Sequence, residues 1–515
     1  PTTDCDGSPT WSADSKHIAF LRRPGIPFGR QENEGGGGGG AGGNIPLGPP
    51  QARAGGAPQT CGFGGGFGGG GGGGGRGGRG GEVSARDTMK IVQSPGFMDQ
   101  TFPGGHRLII MIADATKCTE LSYGCDAKEL WHPQASDRLS QSISNIQWTG
   151  DHLLFTLAPP NDDWDRWYSL SVTAPQPQPV LLTTTNGLIE GATSVATSKD
   201  GKTFYYCTNA EDIESRHIWS VPTGGGTPVQ VSKGAIEMNP VPMANGKDIA
   251  VLYYDYNQPA SVAIVPASGG SGKVIFPTLP KDFPKAAHVK PEVIWLTAAD
   301  SMKFSNQLFK PKDLKPGERR PALVFVHGGP ARQMLPAYHY MQFYHWFYAF
   351  NQYLANQGYI VISVNYRSGI GYGRSFQRAA NTNARGNSEY QDVLAAGKYL
   401  QTRDDVDPTR IGIWGLSYGG LLTAEALARN SDLFIAGADY AGVHMYGNSL
   451  DPDNLGFKSS AVGAIDGWKS PVFLVQGDDD RNVSFSQMVG LVSLLRARGV
   501  YYELMVNPDD QHESF

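Results

Sequence analysis

The sequence predicts a chain of two parts, a β-rich region over residues 1–285 and a parallel α/β sheet with flanking helices over residues 286–515. Two observations carry this. Before residue 285, short runs rich in Val, Ile, Thr, Tyr and Trp alternate with Gly, Asn, Asp and Pro turns. After it, continuous apolar strands alternate with longer helix-like segments, the pattern of a parallel sheet covered on both faces. At 515 residues the chain is long enough for two or three domains.

Composition narrows the function. Lys and Arg total 43 against 48 for Asp and Glu, a net charge of −5, which weighs against a nucleic-acid binder, since that would need a concentrated basic face. No apolar run approaches the roughly 18 residues of a membrane span. The sequence opens with Pro1 and no charged-then-apolar leader, so a signal peptide is expected to be absent or already removed. Residues 35–81 hold 27 glycines in 47 positions, against 41 in the remaining 468. That insert cannot bury apolar surface and is expected to be a flexible excursion acting as a tether. No Gly-Lys-Ser/Thr follows it, so it is not a phosphate loop.

The β-rich region repeats a phrase of turn and strand. Pro9–Phe20, Ser194–Tyr206 and Asn239–Val251 share it, and further strands such as His217–Val221 and Ser261–Val265 follow. The last two phrases lie about 45 residues apart, the size of a four-stranded blade, which predicts a β-propeller, with an irregular β-sandwich as the alternative. Only four or five blades' worth of sequence is present, so the propeller is expected to be incomplete, with a blade in the insert or beyond the chain. Of the five cysteines, Cys5, Cys61, Cys118, Cys125 and Cys207, none has zinc-site spacing; Cys118 and Cys125 are close enough for a small disulfide loop or are free thiols. A lost leader and that pair lean toward a compartment outside the cytoplasm without fixing it.

The chemistry begins at Ile411–Trp414, a short strand, followed by Gly415-Leu416-Ser417-Tyr418-Gly419-Gly420 and a helix-like Leu421–Arg429. Gly-x-Ser-x-Gly alone is a weak signal in a glycine-rich chain. Set between strand and helix it describes the elbow that lifts a serine hydroxyl out of an α/β-hydrolase sheet. Such a serine needs a base, and in this fold the partners follow in the order acid, then histidine. Downstream of Ser417 there are only His444 and His512. His512 follows the strand-like Tyr501–Val506 and a polar turn, where the base belongs; His444 lies after the strand beside the nucleophile, where a pocket loop or a core position is expected. The acid should follow the buried run Pro471–Gly477, but Asp478, Asp479 and Asp480 are consecutive, and spacing alone does not choose among them. A further apolar strand, Ala322–Val326, ends in His327-Gly328-Gly329-Pro330, whose free backbone N–H groups suit an oxyanion hole together with the N–H of Tyr418. No metal-ligand spacing appears, so no cofactor is expected.

With these residues in hand, the chain resembles the prolyl oligopeptidase family of serine peptidases, in particular bacterial acylaminoacyl-peptidase and dipeptidyl-peptidase relatives. The resemblance runs from about Val293 to Phe515 and rests on Val326–Pro330, on Asn365-Tyr366-Arg367-Ser368-Gly369-Ile370-Gly371-Tyr372-Gly373, on Asp407–Gly420 and on Gly477–Val483. It implies Asp480 as the acid, the third residue after Gly477, with His512 following 32 residues later. Asn482 matches a position that helps hold a substrate carbonyl in dipeptidyl-peptidase relatives. His327 and His444 are further candidate substrate contacts. Two departures stand out: Gln476 replaces a histidine the family usually has before the acid turn, and the family continues past the histidine with a final helix, whereas this sequence stops three residues after His512. The glutamate pair that captures a free N-terminus in dipeptidyl peptidases is not recognisable; Glu211–Glu214 and Asp162–Asp165 are expected to be solvated acidic turns.

The resulting expectation is a serine peptidase acting on short peptides by a Ser417–Asp480–His512 triad through an acyl-enzyme, with peptides as its partners and a homo-oligomer left open. The alternatives are an esterase on the same elbow and a propeller–hydrolase binding protein that has lost catalysis.

Overall fold

The computed structural model describes residues 5–23, 108–117, 127–133, 143–159 and 161–512. The glycine-rich insert at 35–81 and Cys61, Cys118 and Cys125, with the disulfide reading attached to them, lie outside the described residues.

Four four-stranded antiparallel sheets come first. They comprise β1 (Cys5–Trp11), β2 (His17–Arg23), β3 (Ile109–Asp114) and β4 (Ala127–Trp131); β5 (Ser144–Thr149), β6 (His152–Leu157), β7 (Arg166–Ser171) and β8 (Val180–Leu181); β9 (Val195–Thr197), β10 (Thr203–Thr208), β11 (His217–Pro222) and β12 (Val229–Gln230); and β13 (Ile236–Pro242), β14 (Asp248–Asp255), β15 (Gln258–Pro266) and β16 (Lys273–Phe276). Within each sheet, strands neighbour one another in chain order. The phrase repeated in the sequence is the first hairpin of the first, third and fourth sheets, because an Asp-Ser, Asp-Gly or Asn-Gly turn joins two strands that pair at once.

Each sheet packs on the next. Leu21 and Ile110 of the first share a core with Leu153 and Phe155 of the second. Trp167 of the second meets Phe204 of the third at a ring separation of 5.2 Å. Cys207 and Ile218 of the third pack with Ile236, Ile249 and Val265 of the fourth.

An eight-stranded sheet follows, with β17 (Glu292–Thr297), β18 (Lys303–Phe309), β19 (Arg320–Val326), β20 (Ile360–Val364), β21 (Val406–Leu416), β22 (Ala436–Tyr440), β23 (Val472–Gly477) and β24 (Tyr502–Asn507). Its order is β17-β18-β20-β19-β21-β22-β23-β24, antiparallel over the first three strands and parallel from β20 onward. This is an α/β-hydrolase-like sheet. β20 reads Ile-Val-Ile-Ser-Val and is buried at every position, as a central strand covered on both faces must be. Six α-helices accompany it among the described residues: α1 (Gln342–Asn356), α2 (Arg374–Gln377), α3 (Glu389–Gln401), α4 (Tyr418–Arg429), α5 (Leu455–Lys458) and α6 (Ser486–Ala497). Val393, Leu422 and Leu491 from α3, α4 and α6 fill one face of the sheet. Tyr344 and Tyr348 of α1 fill the other, in a core continuous with Ile218 and Ile249 of the four-stranded sheets. No helix among the described residues is long and apolar enough to cross a membrane.

Of the two acidic runs expected to be solvated turns, Asp163, Asp165, Glu211 and Asp212 are exposed as expected, while Glu214 is buried, and both runs also join the β-rich region to the large sheet. Asp163 accepts from the backbone N–H and hydroxyl of Ser375 at 2.9 and 2.8 Å, and Asp165 pairs with Arg374 at 2.6 Å. Glu214 is buried and accepts from the hydroxyl of Tyr372 at 2.9 Å. Burial raises its carboxyl above the ordinary range. Their partners sit some 160 to 210 residues further along the chain, so the local acidity of these runs conceals their role.

Candidate active site

The site is built where parallel strands end and helices begin. β21 stops at Leu416 and α4 starts at Tyr418, leaving Ser417 alone at the corner with φ 57° and ψ −114°. A serine gains nothing from this left-handed conformation by itself, and such backbone costs on the order of 1–3 kcal/mol unless its surroundings hold it. Here they do: Ser417 N–H donates to the carbonyl of Tyr440 at 2.8 Å, and its own carbonyl accepts from Leu421 N–H at 2.9 Å. The close crossing also requires Gly419, because a Cβ there would overlap the carbonyl oxygen of Val326. α4 reads Tyr-Gly-Gly-Leu-Leu-Thr-Ala-Glu-Ala-Leu-Ala-Arg; its Leu/Ala content favours helix, and it is buried from Gly419 to Ala428.

The loop after β19 faces this corner. A Cβ built on Gly328 would lie 3.1 Å from Cβ of Ser417 and 2.7 Å from the carbonyl oxygen of Leu416, so the loop backbone runs against the serine. Gly329 follows with φ 115°, a conformation that suits glycine. Tyr418 is the first residue of its helix, so its N–H has no acceptor inside that helix.

The ring of His327, a candidate substrate contact, is fully buried instead. It stacks on Tyr366 at 4.3 Å, its Nδ1–H donates to the Gly328 carbonyl at 2.9 Å, and burial pushes its pKa down to about 4. The hydroxyl of Tyr366 donates to the His327 carbonyl at 2.8 Å, fixing the loop from beneath.

Past β23 the three consecutive acids part company. Asp478 accepts from Asp509 N–H at 2.7 Å and Asp479 pairs with Arg481 at 2.9 Å, both in exposed settings. Asp480 turns inward and is buried. Its Oδ1 accepts from the N–H groups of Asn482 and Val483, both at 2.9 Å. Its Oδ2 faces Nδ1 of His512 at 2.7 Å. A carboxylate there calls for the proton on Nδ1, which leaves Nε2 of His512 with the lone pair of a general base. β23 and β24 are parallel neighbours, with Gly477 opposite Asn507, and this pairing brings the two loops together. Asn482 is half-buried in the same turn as Asp480.

His444 lies in the core, not at a rim. It is 1% exposed, its Nε2 meets Asp439 at 2.7 Å and its Nδ1 meets the Gln487 carbonyl at 3.1 Å. Both ring nitrogens are engaged, so the ring has nothing to offer a substrate.

Two supporting side chains have no role assigned from the sequence. Gln476 donates from Nε2 to Oδ2 of Asp480 at 3.2 Å and to the Val483 carbonyl at 2.7 Å, bracing the acid turn. Glu389 on α3 accepts from the Tyr418 hydroxyl and the Ser368 hydroxyl, each at 2.8 Å, and so holds the residue that follows the serine. Burial raises its carboxyl above the usual range. The position of Gln476 before the acid turn was a usable signal; nothing local marked Glu389.

A serine on a strand-to-helix corner and a paired aspartate and histidine on the loops after β23 and β24, all on one α/β-hydrolase-like sheet, are the residue set of a serine hydrolase. Residues 345–515 match the prolyl oligopeptidase family. The chain is 30% identical over 246 residues to dipeptidyl peptidase 8 of Homo sapiens, which covers 44% of this chain and 27% of that protein. It thus spans about a quarter of that relative's length. Among solved structures, a puromycin-hydrolyzing peptidase of Mycobacterium tuberculosis superposes with a TM-score of 0.63 at 20% identity, covering 79% of this chain and 62% of the other. Dipeptidyl peptidase 4 of Porphyromonas gingivalis gives 0.55 at 17% identity, covering 98% and 71%. At these identities the structural likenesses speak to the fold alone.

Proposed function

We propose that the chain is a serine peptidase that hydrolyses short peptides through an acyl-enzyme. Oγ of Ser417 attacks the scissile carbonyl carbon while Nε2 of His512 takes the hydroxyl proton. Asp480 keeps the imidazole in the productive tautomer and stabilises its positive charge. The oxyanion is held by the N–H of Tyr418 and an N–H of Gly328 or Gly329, each such donor being worth on the order of 10²–10³ in rate. Collapse breaks the C–N bond, and His512 returns the proton to the leaving amine. Water then repeats the sequence on the ester, releasing the acid and regenerating Ser417.

The observation that carries this reading is the left-handed conformation of Ser417 between β21 and α4. Strain of this kind is kept where a side chain must be presented. The family match over residues 345–515 and the peptidase names of the relatives support it. The division into 1–285 and 286–515 belongs to the same proposal. The four stacked sheets are blades of a propeller that limits access to peptides thin enough to reach the serine.

A fluorophosphonate probe tests the assignment. The chain is expected to be labelled at Ser417, and Ser417→Ala is expected to fold and resist labelling. Equal labelling of that variant would move the nucleophile elsewhere.

A further inference from the structure

Arginine is rarely buried without a partner. Among the described residues, the buried and half-buried arginines have carboxylates within 4.0 Å: Arg22 with Asp6, Arg166 with Asp162, Arg216 with Glu190, Arg320 with Glu318, Arg367 with Asp300 and Asp392, Arg374 with Asp165 and Arg403 with Asp405. Arg332 is the exception.

Arg332 is half-buried on the loop that carries Gly328 and Gly329. Its side chain lies over Gly329, where an added Cβ would be 2.8 Å from its Cγ and 3.5 Å from its Nε. One terminal nitrogen donates to the carbonyl of Ala331 at 2.8 Å, while Nε is buried with no acceptor. The neighbouring rings do not neutralise it. His327 and His339 are both fully buried, and desolvation holds them neutral with pKa values near 4 and 3. Glu190, the carboxylate of the adjoining cluster, is engaged by Arg216 and by the hydroxyl of Tyr340. The loop is pinned, with Arg332 N–H donating to Pro330 and its carbonyl accepting from Ile370 at 3.1 Å. A fixed cation with an unsatisfied buried nitrogen thus stands about one residue from the backbone that borders Ser417, where consecutive Cα atoms are about 3.8 Å apart. A half-buried guanidinium with no carboxylate of the described residues beside it leaves its charge open to a partner from outside.

We propose that Arg332 binds a substrate carboxylate close to the scissile bond, supplied by an acidic side chain or by the free C-terminus of a short peptide. The proposal rests on the serine-peptidase reading for the location of the substrate, but its test needs no turnover. Paired peptides are titrated calorimetrically into the Ser417→Ala chain: one pair differs as Glu against Gln, the other as free C-terminus against amide. In at least one pair the charged member is expected to bind about tenfold tighter, a difference that shrinks with added salt. Arg332→Gln should bring that ratio to about one and Arg332→Lys should keep part of it. Which pair responds names the source of the carboxylate. Ratios near one in both pairs overturn the proposal, as does a ratio that survives Arg332→Gln, or no binding of any charged peptide at about 1 mM. If Arg332→Gln does not fold, the ratios in the Arg332 chain and in Arg332→Lys decide alone. Failure of the nucleophile assignment looks different: peptides would be cleaved by the Ser417→Ala chain while the charge ratio stayed intact.

Discussion

The amide of Gln476 and the imidazole of His512 share one carboxylate oxygen of Asp480: Nε2 of Gln476 approaches at 3.2 Å the same Oδ2 that faces Nδ1 of His512 at 2.7 Å. Gln476 therefore sets the angle at which the acid meets the imidazole. Gln476→Leu removes a hydrogen bond to a charged group, worth about 1.5–3 kcal/mol, and should lower kcat by roughly tenfold or more with little change in KM. Gln476→His, which restores the residue usual in the family, should recover most of the rate. Steady-state kinetics on a peptide anilide check both; an unchanged rate in the leucine variant would remove Gln476 from the account.

Glu425 makes stability depend on pH. It is fully buried in α4, and desolvation pushes its carboxyl up to about 8 against the pull of Arg429. The folded chain keeps this proton where the unfolded chain, at the ordinary 4.5, has lost it. Between those values the unfolded state binds fewer protons, so stability falls as pH rises through the window. Glu425→Gln cannot titrate. The Tm of the natural chain relative to this variant should therefore decline from pH 5 to pH 8; a constant difference would contradict the assignment.

Arg374 ties the β-rich region to the large sheet. Its guanidinium donates to the carbonyls of Pro159 and Asp162 at 2.8 and 2.6 Å and pairs with Asp165. Arg374→Ala leaves those acceptors without their donor and should cost about 2 kcal/mol. Limited proteolysis should then cut more readily between residues 159 and 165, and a digestion rate equal to that of the natural chain would count against the junction.

Two glycines on helices predict opposite outcomes. Gly419→Ala drives a Cβ into the Val326 carbonyl and should destabilise by about 3 kcal/mol, with loss of activity. Gly490 on α6 is exposed with nothing within 4 Å of an added Cβ, so Gly490→Ala should stabilise by roughly 0.5–1 kcal/mol. Thermal melts of the pair check the geometry of the elbow against an internal control.

The strand–Ser417–helix corner, the apolar strands at 322–326 and 471–477, and the acid-then-histidine order were legible because they are local patterns or chain order. Spacing alone did not choose among Asp478, Asp479 and Asp480, and only the resemblance implied Asp480, since all three share a turn and only their partners differ: Asp509, Arg481 and His512. His444 was left between a pocket loop and the core for a similar reason. Its place after β22 suits a pocket loop, and its engagement by Asp439 and Gln487 depends on how β22 meets α6. Glu214 and Asp163 read as solvated acids because Tyr372 and Ser375 are distant in sequence. Glu389 and Glu425 carried no local sign of burial, which follows from the faces that α3 and α4 turn to the core.

Burst kinetics decide whether Ser417 forms the acyl-enzyme. Mixed with excess aminoacyl p-nitrophenyl ester, the chain should release close to one equivalent of nitrophenol before the steady state, with the acyl group found on Ser417 by mass analysis of the quenched protein. The Ser417→Ala chain should show neither. A burst that persists in that variant, or an adduct on another side chain, would contradict the mechanism at its first step.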